Sequence, residues 1–301
     1  EPAAEAPAEK SPTLPEPAEA VRAVLQWLCD PRPETSCTPV EGLFPLSGVL
    51  EGAIEAKLIC MLADRLLYRC YDVEISRAMH SFLAQLLRTN ARHADIHRGE
   101  AVRVVEALSD QGVPAAVLNG LAYDPQLYRP GGIRQFTDID LLVDPADRDT
   151  ALGVLTDLGF TEQGRGAHTR RRPIGDAVTR SISVDIAISL GYTADPADIR
   201  RALADADHAA SSAAGEELPV LVRADALWHA LARLAARPRW VSLADAARLA
   251  MACQATPAAE TGMPESARTG WRVLRSYLPD LPLGPPATAT SGPAGRQEGS
   301  S

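Results

Sequence analysis

Two hydrophobic spacings divide the chain. Between residues 50 and 87 apolar side chains recur every three or four positions: Leu50, Ile54, Leu58, Met61, Leu62 and Leu66, then Ile75, Met79, Leu83, Leu86 and Leu87. That period predicts amphipathic helices. A short helix over 19–29 precedes them, and a helical stretch over about 91–110 follows, stopped by Gly112 and Pro114. The period then shortens. Ala115–Leu118 is a short apolar run meeting Asn119–Gly120, which reads as a buried strand entering a turn. Asp138–Val143 predicts a second strand, Pro145 opens a helix to about Leu158, and Gly159 stops it. Shorter strands are expected at Phe160–Gln163 and about His168–Arg172, and a long alternating strand over 178–190. Helices over about 195–206, 223–236, 241–254 and 264–277 complete the pattern.

The expected fold class is therefore α/β in the α+β sense, a mixed β-sheet core flanked by N-terminal and C-terminal helices. Its expected segments are a disordered tail (1–18), an N-terminal helical region (19–112), the α/β core (113–192), a C-terminal helical region (193–278) and a second disordered tail (279–301). The tails are rich in Pro, Ala, Glu, Gly and Ser and offer too little apolar area to offset ordering entropy. No internal repeat is present.

Composition narrows the partners. A net charge of -9 argues against a bulk nucleic-acid binder, which needs surplus positive charge along the phosphates. No apolar run reaches about 18 residues, so no membrane span is expected. No signal-peptide pattern is read, and the chain opens on Glu1 rather than Met, as a trimmed chain does. Cys29, Cys37, Cys60, Cys70 and Cys253 form no CxxC pair, and the expectation is reduced thiols in the cytoplasm. Lys10 and Lys57 are the only lysines, so the central region has no lysine for a nucleophile or a phosphate.

The centre carries the candidate chemistry. Period-two alternation in TDIDLLVD puts Asp138 and Asp140 on one face and Ile139, Leu141 and Val143 on the other. Like charges this close repel unless a cation lies between them, and Mg²⁺ accepts one or two carboxylates with phosphate oxygens and water. In the later strand Ile182, Val184, Ile186 and Ile188 share one face, while Asp185 stands on the other between Ser183 and Ala187. If the strands are adjacent, Asp138, Asp140 and Asp185 are catalytic carboxylates and metal ligands for Mg²⁺ or Mn²⁺. Two such metals, about 3.5–4 Å apart, support in-line displacement at phosphorus. The plainer alternative is a pair of solvated turn acids. Gly120 can let backbone N–H groups approach a phosphate, or simply turn the chain. Arg134 can pair with a phosphate or with the acids, or be an exposed loop residue.

LNGLAYDPQLYRPGGIRQFTDIDLLVDPADRDTALGVLTDLGF resembles the core of the uncharacterised nucleotidyltransferase family of the DNA polymerase β-like superfamily. SVDIAISL is similar to the family's third-acid strand, and LWHALARLAARPRWVSLADAARLA, more weakly, to its C-terminal helices; the resemblance spans roughly 105–255. It implies a nucleotidyltransferase core in which Asp138 and Asp140 match the paired metal ligands and Asp185 the third acid. Asn119, Gly120 and Arg134 become nucleotide-binding positions. Relatives often carry Lys where this chain has Asn119, and an aromatic-rich DLHW where it has DIAI with Ala187. The implied activity is Mg²⁺-dependent transfer of an NMP group from an NTP to an unidentified hydroxyl acceptor (a small molecule, peptide or protein), with pyrophosphate release. The alternatives are an inactive nucleotidyltransferase-like binding module and a DxD glycosyltransferase; the latter needs a nucleotide-binding α/β half before DxD, where this chain is helical.

Other groupings are weaker. Arg165, His168, Arg170, Arg171 and Arg172 form a basic patch for a triphosphate or an acidic surface. His93 and His97 at i and i+4 have zinc spacing, but Ala94 stands where a zincin needs Glu. Trp228 and His229 read as core packing.

Overall fold

A computed structural model describes residues 12–15, 17–32, 47–70, 73–128, 132–162, 168–210, 217–253 and 262–281. Its helices are α1 (Glu19–Cys29), α2 (Ser47–Glu55), α3 (Ile59–Tyr68), α4 (Arg77–Asp110), α5 (Asn119–Leu127), α6 (Arg148–Asp157), α7 (Pro196–Ala204), α8 (Arg223–Ala236), α9 (Trp240–Ala252) and α10 (Glu265–Tyr277). The strands are β1 (Ala115–Leu118), β2 (Ile139–Val143), β3 (Thr161–Glu162), β4 (Thr169–Pro173), β5 (Ser181–Ala187), β6 (Asp207–Ala210) and β7 (Glu217–Val220). They form one mixed sheet in the order β3-β4-β5-β2-β1-β7-β6.

Local signals set several boundaries. Ser76 caps α4 by accepting the Met79 N–H at 3.1 Å, and Asp195 caps α7 by accepting that of Ala197 at 2.8 Å, with Pro196 in the first turn. The α4 helix ends at Gly112, whose φ of 70° suits glycine. It runs unbroken for 34 residues, so the expected helix over 91–110 is its second half.

The sheet's middle positions the acids. β2 lies antiparallel to β1 and parallel to β5. Ile139, Leu141, Ile182 and Val184 are fully buried, as their alternation predicts. The α4 helix contacts β1 and β7, α6 contacts β5, and α7 contacts β2. Beyond the sheet α8 packs between α9 and α10. Gly270 lets α10 approach so closely that any Cβ there would collide with the backbone of Leu231.

Four features depart from expectation. Region 193–278 is not purely helical, because β6 and β7 extend the sheet beyond β1. Both are only four residues long, one contains Pro219 and neither is a continuous apolar run, so they are too short to leave a periodic signal. Asn119–Leu127 is a helix rather than a simple turn. Within the segment expected to be disordered, Leu14 is buried, its N–H donates to the Tyr277 hydroxyl at 3.1 Å, and Trp240 Nε1 donates to the Pro15 carbonyl at 3.3 Å. The rest of the tail expectation, over 1–11 and 282–301, lies outside the described residues. Finally, Cys29, Cys60 and Cys253 are free thiols but Cys70 is disulfide-bonded, against the expectation of reduced cysteines throughout.

Candidate active site

Strand register brings the acids together. In the parallel β2–β5 pair Asp140 lies directly beside Asp185, and Asp138 stands two residues before Asp140 at the mouth of β2. Asp138, Asp140 and Asp185 each present one carboxylate oxygen, and these three atoms lie within 4.8 Å of one another. Three carboxylates at that separation repel strongly when all are charged.

The environment of Asp140 shows the consequence. Burial and the charge of Asp138 push its carboxyl up to about 6, with Asp185 adding to the rise; the Asn119 amide and Arg233 oppose it. Asp185 Oδ1 is buried with no hydrogen-bond donor. A buried oxygen without a donor, inside a carboxylate cluster, fits a divalent cation well.

The raised carboxyl sets a stability signature. Between about 4 and 6 the folded protein holds a proton on Asp140 that the unfolded chain releases. Unfolding free energy from this group therefore falls as pH rises through that window, and the whole cost is present above it. Asp140→Asn should make the metal-free protein more stable at pH 7.5, by on the order of 2 kcal/mol. The gain should shrink as pH approaches 4, in paired urea denaturation of the two proteins.

A relay of neutral groups fixes Asp140. Leu118 ends β1 opposite Asp140, and Asn119 follows with φ of 59°, a left-handed conformation that asparagine tolerates. Its Nδ2 donates to Asp140 Oδ2 at 2.7 Å. His229 Nδ1 accepts the Gly191 N–H at 3.0 Å, so its proton resides on Nε2, which donates to Asn119 Oδ1 at 3.1 Å. Burial and Arg233 hold the His229 ring far below its usual range, at about 3, and so neutral. One helical turn further along α8, Arg233 Nη1 reaches to 3.9 Å from Asp140 Oδ2. His229 thus orients Asn119 rather than merely packing, as its sequence context suggests. It lies 110 residues from Asn119, with no local signal to join them.

The run into Asp138 is held from several sides. Asp124 accepts the Gly132 and Arg134 N–H groups at 2.8 and 3.0 Å, and Asn90 donates to the Gly132 carbonyl at 2.6 Å. His93 Nε2 donates to the Phe136 carbonyl at 3.0 Å while its Nδ1 accepts from Thr179 at 2.8 Å. His97 packs against His93 with tilted rings whose centroids lie 4.0 Å apart, and Phe136 packs against both. Gly120 is required here because a Cβ would lie 2.7 Å from Phe136 Cβ. The histidine pair therefore buttresses the loop and is not arranged as a zinc site.

Gly120, Asn119 and Arg134 all line the cavity over Asp138 and Asp140. The Arg134 guanidinium, however, is filled by Asp245: Nε donates to Oδ1 at 2.8 Å and Nη2 to Oδ2 at 2.7 Å, and the Tyr128 hydroxyl joins Oδ1 at 2.6 Å. Arg134, read from the sequence as a partner for a phosphate or the acids or as an exposed loop residue, is held in a buried bidentate pair with Asp245. The basic patch also points elsewhere. Arg172 pairs with Glu100 at 2.6 Å, Arg170 with Glu162 at 3.7 Å, and Arg148 donates to His168 at 3.0 Å. Arg165 lies outside the described residues. The cations on the cavity wall are instead Lys57, Arg233, Arg237 and Arg239.

A family model described as an uncharacterised nucleotidyltransferase matches residues 46–274. No curated protein matches the chain. Among solved structures the chain is similar to an antigenic nucleotidyltransferase-like protein from Paracoccidioides brasiliensis, at 14% identity over 64% of this chain and 94% of that one, with a TM-score of 0.47. It is also similar to ANT(2")-Ia in complex with adenylyl-2"-tobramycin, at 16% identity over 60% of this chain and 98% of that one, with a TM-score of 0.39.

Proposed function

The chain belongs to the uncharacterised nucleotidyltransferase family, and we propose that it transfers an NMP group from an NTP to a hydroxyl acceptor and releases pyrophosphate. The observation that carries this reading is the carboxylate cluster itself, with ligand oxygens of Asp138, Asp140 and Asp185 within 4.8 Å and Asp185 Oδ1 free of any donor. These residues would hold Mg²⁺ or Mn²⁺, which when bound neutralises phosphate charge and favours the ionised acceptor hydroxyl.

The chain's own groups do the rest. Asn119 holds Asp140 Oδ2 in place, so that carboxylate needs little reorganisation. Asp185 keeps Oδ1 available as a ligand atom or to take the acceptor's proton. The acceptor oxygen forms its bond to the α-phosphorus as the bond to the pyrophosphate leaving group breaks in line. Gly120 lines the cavity beside the acids and keeps backbone within reach of the nucleotide. An acceptor that is a small molecule, peptide or protein suits an acidic chain, and a cytoplasmic setting suits an NTP-consuming reaction. No helix among the described residues is long and apolar enough to cross a membrane.

Incubating the full chain with each of four α-labelled NTPs, Mg²⁺ and an acceptor panel tests the proposal. It predicts label transfer matched by pyrophosphate release. No transfer with any NTP, together with no calorimetric NTP binding in Mg²⁺, would contradict it.

A further inference from the structure

The α2–α3 junction places a lysine in a left-handed backbone position. After α2, the Lys57 N–H bonds the Ile54 carbonyl at 3.0 Å and the Leu58 N–H bonds that of Ala53 at 2.7 Å. That is the pattern of a Schellman helix end, whose left-handed position usually belongs to glycine. Here the position is Lys57, with φ of 58°. An L side chain is strained there, and strained residues concentrate where a side chain is used. Leu58, the next residue, is fully buried and anchors the turn in the core.

Lys57 lines the cavity over the acids, together with residues of the sheet and of the α8–α9 connection. Among the described residues no ion pair engages Lys57, nor Arg237 or Arg239, which flank Pro238 and line the same cavity. These cations gather in one cavity although the chain's net charge is -9. Arg233 stands between them and the acids, 3.9 Å from Asp140. The cavity thus has a cationic wall and an acidic floor. A ligand with several negative charges, reaching from the wall to a cation on the floor, satisfies both.

We propose that Lys57, Arg237 and Arg239 form a polyphosphate subsite in which the N-terminal helical region supplies the lysine that the core lacks. The ligand class is a linear polyphosphate, in substrate the β- and γ-phosphates of the NTP; this rests on the nucleotidyltransferase reading. The subsite explains how Asn119 can be engaged with Asp140 while a lysine still serves the phosphates. It also gives the helices before the core a part in the site rather than a purely structural one.

The test uses inorganic tripolyphosphate, titrated calorimetrically into the full chain in Mg²⁺ buffer. Lys57→Gly removes the ammonium and places the preferred residue in the left-handed turn. The expected result is about a tenfold weaker tripolyphosphate affinity, with a melting temperature equal to or above that of the unsubstituted protein. Lys57→Arg restores affinity to within a few fold. Arg237→Gln weakens binding by a similar factor and reduces its salt dependence. Equal affinity in Lys57→Gly and the unsubstituted protein, or no tripolyphosphate binding by either, overturns the subsite. Lys57-dependent tripolyphosphate binding without any NMP transfer leaves the subsite standing and rejects the transfer reaction.

Discussion

Asp138→Asn is expected to lower NMP transfer by roughly three orders of magnitude or more, the scale for removing one preorganised charge-stabilising group at a phosphoryl centre. The residue stands at the mouth of β2 as a half-buried member of the carboxylate cluster. Its carboxylate is also among the largest causes of the raised Asp140 carboxyl. Removing that charge relieves repulsion, so the variant should fold at least as well as the parent. Catalysis falls while stability holds or rises, and a group kept for structure would behave the opposite way. Pyrophosphate release and urea denaturation measured on the same preparation separate the two effects.

Arg134→Ala should have the largest effect on stability. The guanidinium and Asp245 are both buried and joined at two points, and Tyr128 completes the group. Truncating the arginine leaves the Asp245 charge without its partner in the interior, at a cost of about 3–5 kcal/mol. Replacing both members, Arg134→Met with Asp245→Leu, should recover most of that loss, because no charge is stranded. Urea midpoints of the single and double variants check both statements. If Arg134 served chiefly as a phosphate contact, the single variant would lose nucleotide affinity with little change in midpoint.

The acids were legible in the sequence because their placement follows from local alternation. Period two sends Ile139 and Leu141 to one side and Asp140 to the other, and the same rule isolates Asp185 among Ile182, Val184 and Ile186. The parallel register then makes Asp140 and Asp185 neighbours. The helices with strong 3.6-residue periodicity were legible for the same reason. The short strands β6 and β7 were not, since four residues that form no continuous apolar run are too few to establish a period.

Long-range partners were hidden as well. Asn119 depends on His229, which sits in HALARLAAR, a run whose composition signals only core packing. The Asn119–Gly120 step, read as a turn, was the one local clue, and asparagine tolerates the left-handed backbone found there. Whether Arg134 met a phosphate, the acids or solvent stayed open in the sequence because its partner Asp245 lies 111 residues away. Lys57 stood out as one of two lysines, but only the fold carries it from the N-terminal helices to the cavity.

The account is tested most directly by titrating Mn²⁺ into the metal-free protein and into Asp185→Asn, with free Mn²⁺ followed by electron paramagnetic resonance. Convergence of the three carboxylates predicts saturable binding by the parent and at least a tenfold loss in the variant. Equal Mn²⁺ affinity in the two proteins, or no saturable binding by the parent, would contradict it.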